Sequence, residues 1–452
     1  MTSSLFPSKA FAYEDFLDSL QPACADGERI VNAFLEEHGR LRGNGYPFGN
    51  PVSVEKRHVD DIRRSRYLVA AKTDGIRLAL VLASGLTSPR MEGVGMRNHE
   101  CAFLVDRMHK MYAFPCSAEA ALFKGTLVDM ELVWDPTRQC LVLLAFDIAV
   151  VEGDGNVAYD PLTSRLSTLA TMFPYDLEKA FNACEVTADM VAGGGGGGAA
   201  AAATSFTATN APLRSFQGVK DAKRTLLSKG FMVADVPGVM MACKRMRAVN
   251  IAIGPQEADD DDGRAADQTF VAPYALTVPV PGESDLPCDG YVLTPEMLPA
   301  SRPGTAWSIF KLKAAHTVDL LWSDNRLWYG DGDSMFELST LYQQPSSVTI
   351  SFDDPPPSTL SPAIVEMLPM ISNVGPASLL SARVPTIHGS LDTKDSIALR
   401  RHIHLTFVST RTDRDVPNNQ VCILGSFNSV MDAVTLQSIE NPAQSTASTA
   451  RV

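Results

Sequence analysis

The chain has 452 residues, of which 45% are hydrophobic and 20% charged, and its formal net charge is −13. This length predicts two or three domains with a substantial core. The acidic balance excludes a general nucleic-acid coat protein, because such binding depends on neutralising phosphates with Lys and Arg. A local basic pocket can still bind a nucleotide or an RNA end, since pocket charge and total charge are separate quantities.

The eight cysteines are scattered, and none forms a C-x-x-C pair. This pattern argues against a zinc ribbon or a disulfide framework and favours reduced thiols in the cytosol or nucleus. The first residues lack a basic segment followed by an apolar core, so no secretory signal is expected. The longest apolar region runs from Leu141 to Val151, is interrupted by Asp147, and is too short to span a bilayer.

Apolar periodicity organises the first half of the chain. Ile30, Val31, Phe34, Leu35, His38 and Leu41 recur at helical spacing, so residues 1–45 are predicted to be mainly helical. Residues 46–185 alternate apolar strands with polar turns. A Gly/Ala tract at about 190–210 predicts a flexible insert. The four aspartates at 259–262, within an acidic segment at about 254–268, predict a solvated loop, with a metal or basic-partner site as the alternative.

The second half begins with strand-like sequence over residues 288–322 and again over 396–409. Between them, residues 344–392 are rich in Pro and Ser and predict a long loop or insertion. From residue 424 the apolar spacing predicts a final helix, followed by a polar, frayed tail. The predicted division is therefore a helical segment at 1–45, a domain at 46–316, a second domain at 317–423 and a terminal helix and tail at 424–452.

The hexamer Lys72-Thr73-Asp74-Gly75-Ile76-Arg77 lies between two apolar runs, Tyr67–Ala71 and Leu78–Ala83. This pattern predicts two strands with a tight polar turn between them. A lysine that is partly buried or near other cations loses its proton more readily, and neutral lysine is a nucleophile. Arg77 supplies one such cation. The alternative is an exposed turn lysine between two strands of a hairpin.

The hexamer K-x-D-G-x-R resembles the lysine site of the covalent nucleotidyltransferases, which include the mRNA capping guanylyltransferases and the ATP-dependent DNA and RNA ligases. Seven further fragments resemble other blocks of that family and occur in the same order. They are Phe48-Gly49 with Pro51-Val52-Ser53, Arg107, Asp129-Met130-Glu131-Leu132-Val133, Phe146-Asp147, Asp289-Gly290-Tyr291-Val292, Lys311-Leu312-Lys313 with Thr317-Val318-Asp319, and Arg411-Thr412-Asp413-Arg414 with Pro417-Asn418.

The resemblance implies an α+β fold. A nucleotidyltransferase domain of antiparallel sheets with flanking helices would occupy residues 46–316. An OB-fold β-barrel would follow at 317–423, with the Pro/Ser-rich insertion at about 344–392 inside it.

The resemblance also implies a two-step activity, in which Lys72 attacks GTP and the resulting lysyl-GMP passes GMP to a 5′-diphosphate RNA. The approach to Lys72, the Thr317-Val318-Asp319 block and the Arg411 block favour a guanylyltransferase. The alternatives are an ATP-dependent polynucleotide ligase and an inactive scaffold subunit of a capping complex. Met130, where the family has glycine, supports the inactive alternative. Arg414 stands where the family usually has lysine.

The family's site residues carry over to matching positions of this sequence. The catalytic set would be Lys72 as nucleophile with Lys311, Lys313, Arg411 and Arg414. The nucleotide-binding set would be Thr73, Asp74, Arg77, Arg107, Glu131, Phe146, Asp289 and Asp413. Glu131 and Asp289 would also hold Mg²⁺ or Mn²⁺.

The partners implied are GTP, a 5′-diphosphate RNA, a separate RNA triphosphatase, a cap methyltransferase and an RNA polymerase II tail, with no membrane. The implied location is the nucleus of a eukaryote, or the cytoplasm or virion for a viral protein.

Overall fold

The computed structural model describes residues 10–41, 46–84, 100–138, 140–177, 180, 216–236, 238–249, 286–313, 316–332, 334–341, 348–352, 362–374, 400–411, 416–432, 434 and 436–440. These residues group into two compact units. The first is drawn from residues 1–51, 66–249 and 266–309, and the second from 52–65, 250–265 and 310–452.

The described helices are few beside the strands. They are α1 (Ala10–Ser19), α2 (Ala25–Glu37), α3 (Lys56–Arg64), α4 (Leu162–Met172), α5 (Phe216–Leu227), α6 (Gln420–Asp432) and α7 (Leu436–Glu440), with short 3₁₀ helices at Ala120–Lys124, Gly155–Tyr159 and Leu338–Thr340. Helix α2 follows from its sequence, since Ile30, Val31, Phe34 and Leu35 are buried along one face. No described helix is both long enough and apolar enough to cross a bilayer.

Two large sheets and a two-stranded ribbon form the first unit, and two strands, β1 and β13, continue past its boundary. The strands are β1 (Gly49–Ser53), β2 (Tyr67–Thr73), β3 (Ile76–Ser84), β4 (Glu100–Val105), β5 (Met111–Ala113), β6 (Cys116–Ser117), β7 (Thr126–Asp135), β8 (Cys140–Val150), β9 (Val233–Ala234), β10 (Val239–Cys243), β11 (Arg247–Ala248), β12 (Cys288–Pro295) and β13 (Gly304–Lys313). The strand orders are β1-β13-β12-β2-β11, β10-β8-β7-β3-β4-β5 and β6-β9.

The expectation of antiparallel sheets is wrong for one pair of this unit, because β10 runs parallel to β8. A parallel neighbour needs a long crossover connection. Helices α4 and α5 lie in the stretch of chain that joins β8 to β10. The architecture is therefore a mixed fold of helices and sheets.

Strand β3 forms the centre of the core. Its alternate residues Leu78, Leu80 and Leu82 join one apolar cluster, to which α1 contributes Tyr13, Phe16 and Leu17, and Leu20 joins it just after the helix. Its remaining residues Ala79, Val81 and Ala83 join another, to which α2 contributes Val31, Phe34 and Leu35. A strand covered on both faces reads as a continuous apolar run, as this one does in the sequence.

Strands β2 and β3 do not form a hairpin. Strand β2 pairs with β11 and β12, whereas β3 pairs with β4 and β7. Asp74 and Gly75 therefore carry the chain from one sheet to the other. A Cβ added at Gly75 would lie 2.2 Å from the carbonyl oxygen of Leu132, so this crossing requires a residue without a side chain. The hairpin interpretation of the hexamer is excluded.

The second unit contains one mixed sheet. Its strands are β14 (Val318–Ser323), β15 (Arg326–Asp331), β16 (Ser334–Glu337), β17 (Val348–Phe352), β18 (Ala363–Val374) and β19 (Arg400–Thr410). Their order is β16-β15-β14-β18-β19-β17, with β17 parallel to β19. Within the described residues this sheet is open, so the predicted OB-fold barrel is not confirmed. Its core includes Trp322, Val365, Leu405 and Phe427.

Two predictions for the second half need correction. Strands β17 and β18 lie inside residues 344–392, where a loop was expected, because apolar side chains recur through both segments despite the surrounding Pro and Ser. Helix α6 begins at Gln420, four residues before the predicted start. The Gly/Ala tract and the acidic segment at about 254–268 lie outside the described residues.

Candidate functional site

Lys72 lies at the end of β2 and forms an ion pair with Asp289. Its Nζ donates to Asp289 Oδ1 at 2.8 Å, and the two side chains are 22% and 33% exposed. Strand β12 pairs with β2 and has one extra residue between Cys288 and Tyr291. Gly290 in this bulge has a φ of 148°, a region that favours glycine. The bulge thus places the Asp289 carboxylate at the lysine.

A second lysine reaches the same strand end. Lys244 Nζ donates to Thr73 Oγ1 at 2.9 Å and to Glu131 Oε2 at 3.1 Å. The Thr73 hydroxyl also donates to Glu131 Oε2. Lys244 is only 9% exposed, so Glu131 and Thr73, and not solvent, stabilise its positive charge. Sequence reasoning missed Lys244, although it follows the buried strand β10 much as Lys72 ends the buried strand β2.

Arg77 forms an ion pair with a buried carboxylate. Its Nε and Nη2 donate to the two oxygens of Asp129 at 2.9 and 2.5 Å, and its Nη1 donates to Gly49 O at 2.9 Å. Tyr46 also donates its hydroxyl to Asp129 Oδ1 at 2.8 Å. The expected role of Arg77 as a cation acting on Lys72 is therefore weakened, because Asp129 balances its charge.

The pKa values of this buried group follow from its contacts. Burial raises the pKa of Asp129, and Arg77 and Tyr46 only partly oppose this effect. Burial by itself would lower the pKa of Arg77, but Asp129 raises it above its ordinary value. Burial also raises the pKa of Tyr46, with a further contribution from Asp129. The bidentate contact favours the ionised pair, whose stability depends on both partners being present.

Phe146 occupies a bulge in β8. Asp129 is opposite Asp147, whereas Met130 is opposite Ala145, so Phe146 is the additional residue of β8 at this point. Bulges beside active sites often redirect a side chain. The Phe146 ring lies 5.5 Å from Arg77 Cζ and 5.3 Å from Lys244 Nζ. A half-buried ring beside two cations can stack on an aromatic base.

The residue after Phe146 is fixed by a second buried ion pair. Asp147 Oδ1 accepts from Arg165 Nε at 2.7 Å, and Arg165 is 1% exposed. Arg165 also donates to the carbonyl oxygen of Leu298 at 3.1 Å. Helix α4 is thereby connected to the bulge that carries Phe146.

Met130 does not face these polar groups. It is fully buried in the apolar cluster beneath β3, opposite Leu78, whereas its neighbour Glu131 meets Thr73 and Lys244. Methionine in place of the family glycine is therefore accommodated by the core. This placement removes the main argument for an inactive protein.

The structure describes most of the other predicted residues. Asp74 is exposed, and its backbone N–H bonds to Pro287 O at 3.0 Å. Arg107 is exposed in the turn after β4, and its charge lowers the pKa of Tyr46. The remaining positions belong to the second unit: half-buried Lys311 and Lys313 lie at the end of β13, Arg411 pairs with Asp319 at 3.3 Å and lies 3.8 Å from Glu366, and Asp413 and Arg414 are outside the described residues.

The carboxylates suit a metal that arrives with a nucleotide. Among the described residues no three His, Cys, Asp or Glu side chains cluster as a ready metal site. Glu131 and Asp289 each contact a lysine ammonium. Mg²⁺ is commonly held by one or two carboxylates together with substrate phosphates, and these two side chains fit that mode.

A sequence match to known proteins includes the segment that carries Lys72, Glu131 and Phe146. Residues 19–187 match the family model described as mRNA capping enzyme, catalytic domain. A 165-residue stretch is 27% identical to the mRNA-capping enzyme subunit alpha of Neurospora crassa, and it covers 33% of this chain and 39% of that protein. The chain thus spans well under two thirds of the length of this curated relative.

Two solved structures align at low similarity. A mycobacterial DNA ligase D complexed with ATP and MES is 11% identical, with a TM-score of 0.29, over 81% of this chain and 94% of that one. The ATP-dependent DNA ligase from bacteriophage T7 in complex with ATP is 9% identical, with a TM-score of 0.25, over 64% and 74%. The family match, in contrast, includes the segment with Lys72, Glu131 and Phe146, and it confirms the resemblance of residues 19–187 to the catalytic domain of mRNA capping enzymes.

Proposed function

We propose that this protein is an mRNA guanylyltransferase that forms a covalent lysyl-GMP intermediate on Lys72. The supporting observation is the arrangement of groups at the end of β2. Asp289 lies 2.8 Å from the Lys72 amine, and Lys244, which contacts the adjacent Thr73, lies beside the Phe146 ring. The match of residues 19–187 to capping enzymes supports the same class of reaction.

In the first step, Lys72 Nζ attacks the α-phosphate of GTP. A nitrogen–phosphorus bond forms, the bond to the leaving pyrophosphate breaks, and Asp289 Oδ1 is the adjacent acceptor for the amine proton. In the second step, a β-phosphate oxygen of the 5′-diphosphate RNA attacks the same phosphorus. The nitrogen–phosphorus bond breaks, the lysine is regenerated, and a 5′–5′ triphosphate linkage results.

Charge stabilisation of the transition state requires cations at the triphosphate. Negative charge develops on the phosphoryl oxygens and on pyrophosphate, and positioned cations lower this barrier. Lys311, Lys313, Arg411 and Arg414 are the phosphate-binding residues that the family resemblance implies. Glu131 and Asp289 would hold Mg²⁺ or Mn²⁺, which supplies further charge neutralisation when bound. Thr73, Asp74, Arg107 and Asp413 complete the proposed nucleotide contacts.

Lys244 favours GTP over ATP. Guanine presents two acceptors, O6 and N7, along the edge where adenine presents an amino donor beside N7. Lys244 gives two of its three donors to Thr73 and Glu131, which leaves one donor beside Phe146, and its ammonium cannot accept a hydrogen bond. A base stacked on Phe146 would therefore be matched better by guanine than by adenine.

The relative from Neurospora crassa is named as a subunit, which supports a place in a capping complex. A separate RNA triphosphatase would supply the 5′-diphosphate end, and a cap methyltransferase would act on the product. An RNA polymerase II tail is a further proposed partner. The proposed location is the nucleus, or the cytoplasm or virion if the protein is viral.

The test is nucleotide labelling. The purified chain is incubated with Mg²⁺ and α-phosphate-labelled GTP or ATP and is then separated under denaturing conditions. We expect label from GTP, its loss in Lys72→Ala, and its discharge by pyrophosphate. Label from ATP alone would replace the proposal with a polynucleotide ligase. A folded protein that takes label from neither nucleotide would indicate a scaffold subunit.

A further inference from the structure

Positive charge is concentrated in one part of this acidic chain. Residues 216–249 contain seven Lys and Arg but two Asp and no Glu, a net charge of +5. Since the whole chain carries −13, all other residues together carry −18. A local positive field of this kind attracts a polyanion even when the protein as a whole is acidic.

The end of this segment lies at the edge of the sheet that contains Lys72. Strand β11 is the last strand of that sheet, and its Arg247 pairs with Val69 of β2. Lys72 is three residues farther along β2, about 10 Å at the usual rise of a strand, and this odd spacing places its side chain on the opposite face of the sheet from Val69 and Arg247. Lys244, just before β11, already contacts Thr73.

The side chains of residues 244–247, near the end of this segment, divide between core and surface. Met246 is 4% exposed and packs in the apolar cluster, and Lys244 is 9% exposed in the site. Arg245 is exposed and Arg247 half-buried. Alternating residues of an extended chain project to opposite sides, so the two arginines share the side that Met246 does not occupy.

The backbone of residues 244–249 is hydrogen-bonded at both ends. Lys244 N–H donates to Ala145 O at 2.7 Å, and Val249 N–H donates to Tyr67 O at 3.0 Å. The arginines are therefore carried by a fixed backbone, which reduces the ordering that binding would require.

We propose that Arg245 and Arg247 form a docking edge for the phosphate backbone of the acceptor RNA. This inference rests on the proposed function, because the RNA is the second substrate of that reaction. Arg binds phosphate through a planar set of donors. Because β11 is the edge strand, two such contacts would hold the RNA body on one face while its 5′ end passes around this edge to the lysyl-GMP on Lys72.

The test measures RNA binding and GMP transfer separately. A fluorescent 5′-diphosphate RNA is titrated with Arg245→Ala/Arg247→Ala at several salt concentrations. Loss of two phosphate contacts should reduce the slope of log K against log salt by about 1.4, and weaken binding on the order of tenfold at 0.1 M salt. Arg245→Lys/Arg247→Lys should restore most of the binding, since both charges return.

The matched control is Arg29→Ala/Lys124→Ala, which removes two exposed charges of the same unit. It should leave the slope unchanged. In the arginine variant, lysyl-GMP formation from GTP and discharge by pyrophosphate should match wild type, whereas transfer to RNA falls. Unchanged RNA binding and transfer would overturn the docking edge. A different result would separate the two proposals. If the wild-type chain forms no lysyl-GMP, the guanylyltransferase function is overturned. If the arginine variant still binds RNA more weakly than that wild-type chain, the docking edge is supported.

Discussion

Replacement of Arg77 by methionine isolates the buried ion pair beside the site. The Arg77 and Asp129 side chains are 10% and 2% exposed, and their closest approach is 2.5 Å. Arg77→Met leaves Asp129 charged, buried and without its bidentate partner, which should lower the free energy of unfolding by about 3–5 kcal/mol. Urea unfolding, followed by tryptophan fluorescence and far-UV circular dichroism, should show a midpoint lower by about 1 M or more for an m value near 3 kcal/mol/M.

The same chain offers a matched control. Lys223 and Asp235 approach to 2.6 Å, but their side chains are 26% and 33% exposed. Lys223→Met should therefore cost about 0.2–1 kcal/mol, because solvent screens the exposed pair. Equal losses for Arg77→Met and Lys223→Met would refute the reasoning from burial.

A second substitution and a change of pH test the cause of the Arg77→Met loss. Asp129→Asn added to Arg77→Met should recover part of the stability, since no buried charge then lacks its partner. Burial already raises the pKa of Asp129, and removal of Arg77 raises it further. A buried carboxyl with a raised folded-state pKa destabilises the fold least when it is protonated. The loss of unfolding free energy caused by Arg77→Met should therefore be smaller at pH 5 than at pH 7.

Three further variants probe the site. Phe146→Leu should raise KM for GTP by about 10- to 100-fold, as expected for loss of base stacking, with little change in kcat; an unchanged KM in steady-state labelling would contradict stacking. Lys244→Met should lower the ratio of GTP to ATP labelling, and an unaltered ratio would remove it from base selection. Gly75→Ala should destabilise the chain strongly, because its Cβ would meet the Leu132 carbonyl at 2.2 Å, whereas Gly425→Ala in α6 has open space and should be neutral or slightly stabilising in thermal unfolding.

Local patterns predicted the strands around the hexamer and helix α2. The apolar runs at 67–71 and 78–83 became β2 and β3 with small extensions, because buried positions dominate both. Apolar patterns did not predict to which sheet each strand belongs. Periodicity shows that a segment is extended, but pairing depends on distant partners.

The candidate site shows the same limit. Lys72, Glu131, Phe146 and Asp289 were identified through the order of short blocks, not through any contact visible in the sequence. Lys244 was missed because its partner Thr73 lies 171 residues away. Asp129 was missed as the partner of Arg77, because only the pairing of β3 with β7 places Arg77 opposite Glu131 and next to Asp129. Composition likewise suggested a loop at 344–392, where strands β17 and β18 form.

The ion pair of Lys72 joins residues 217 positions apart, and this separation has a consequence for biosynthesis. A ribosome adds about 5–20 residues per second, so Asp289 emerges some 10–40 seconds after Lys72. Until then β12 cannot pair with β2, and the lysine lacks both its carboxylate and one neighbouring strand. If Lys72 forms the proposed lysyl-GMP, self-labelling by a stalled nascent chain should appear only once β12 has left the exit tunnel. The label would then report that β12 has paired with β2.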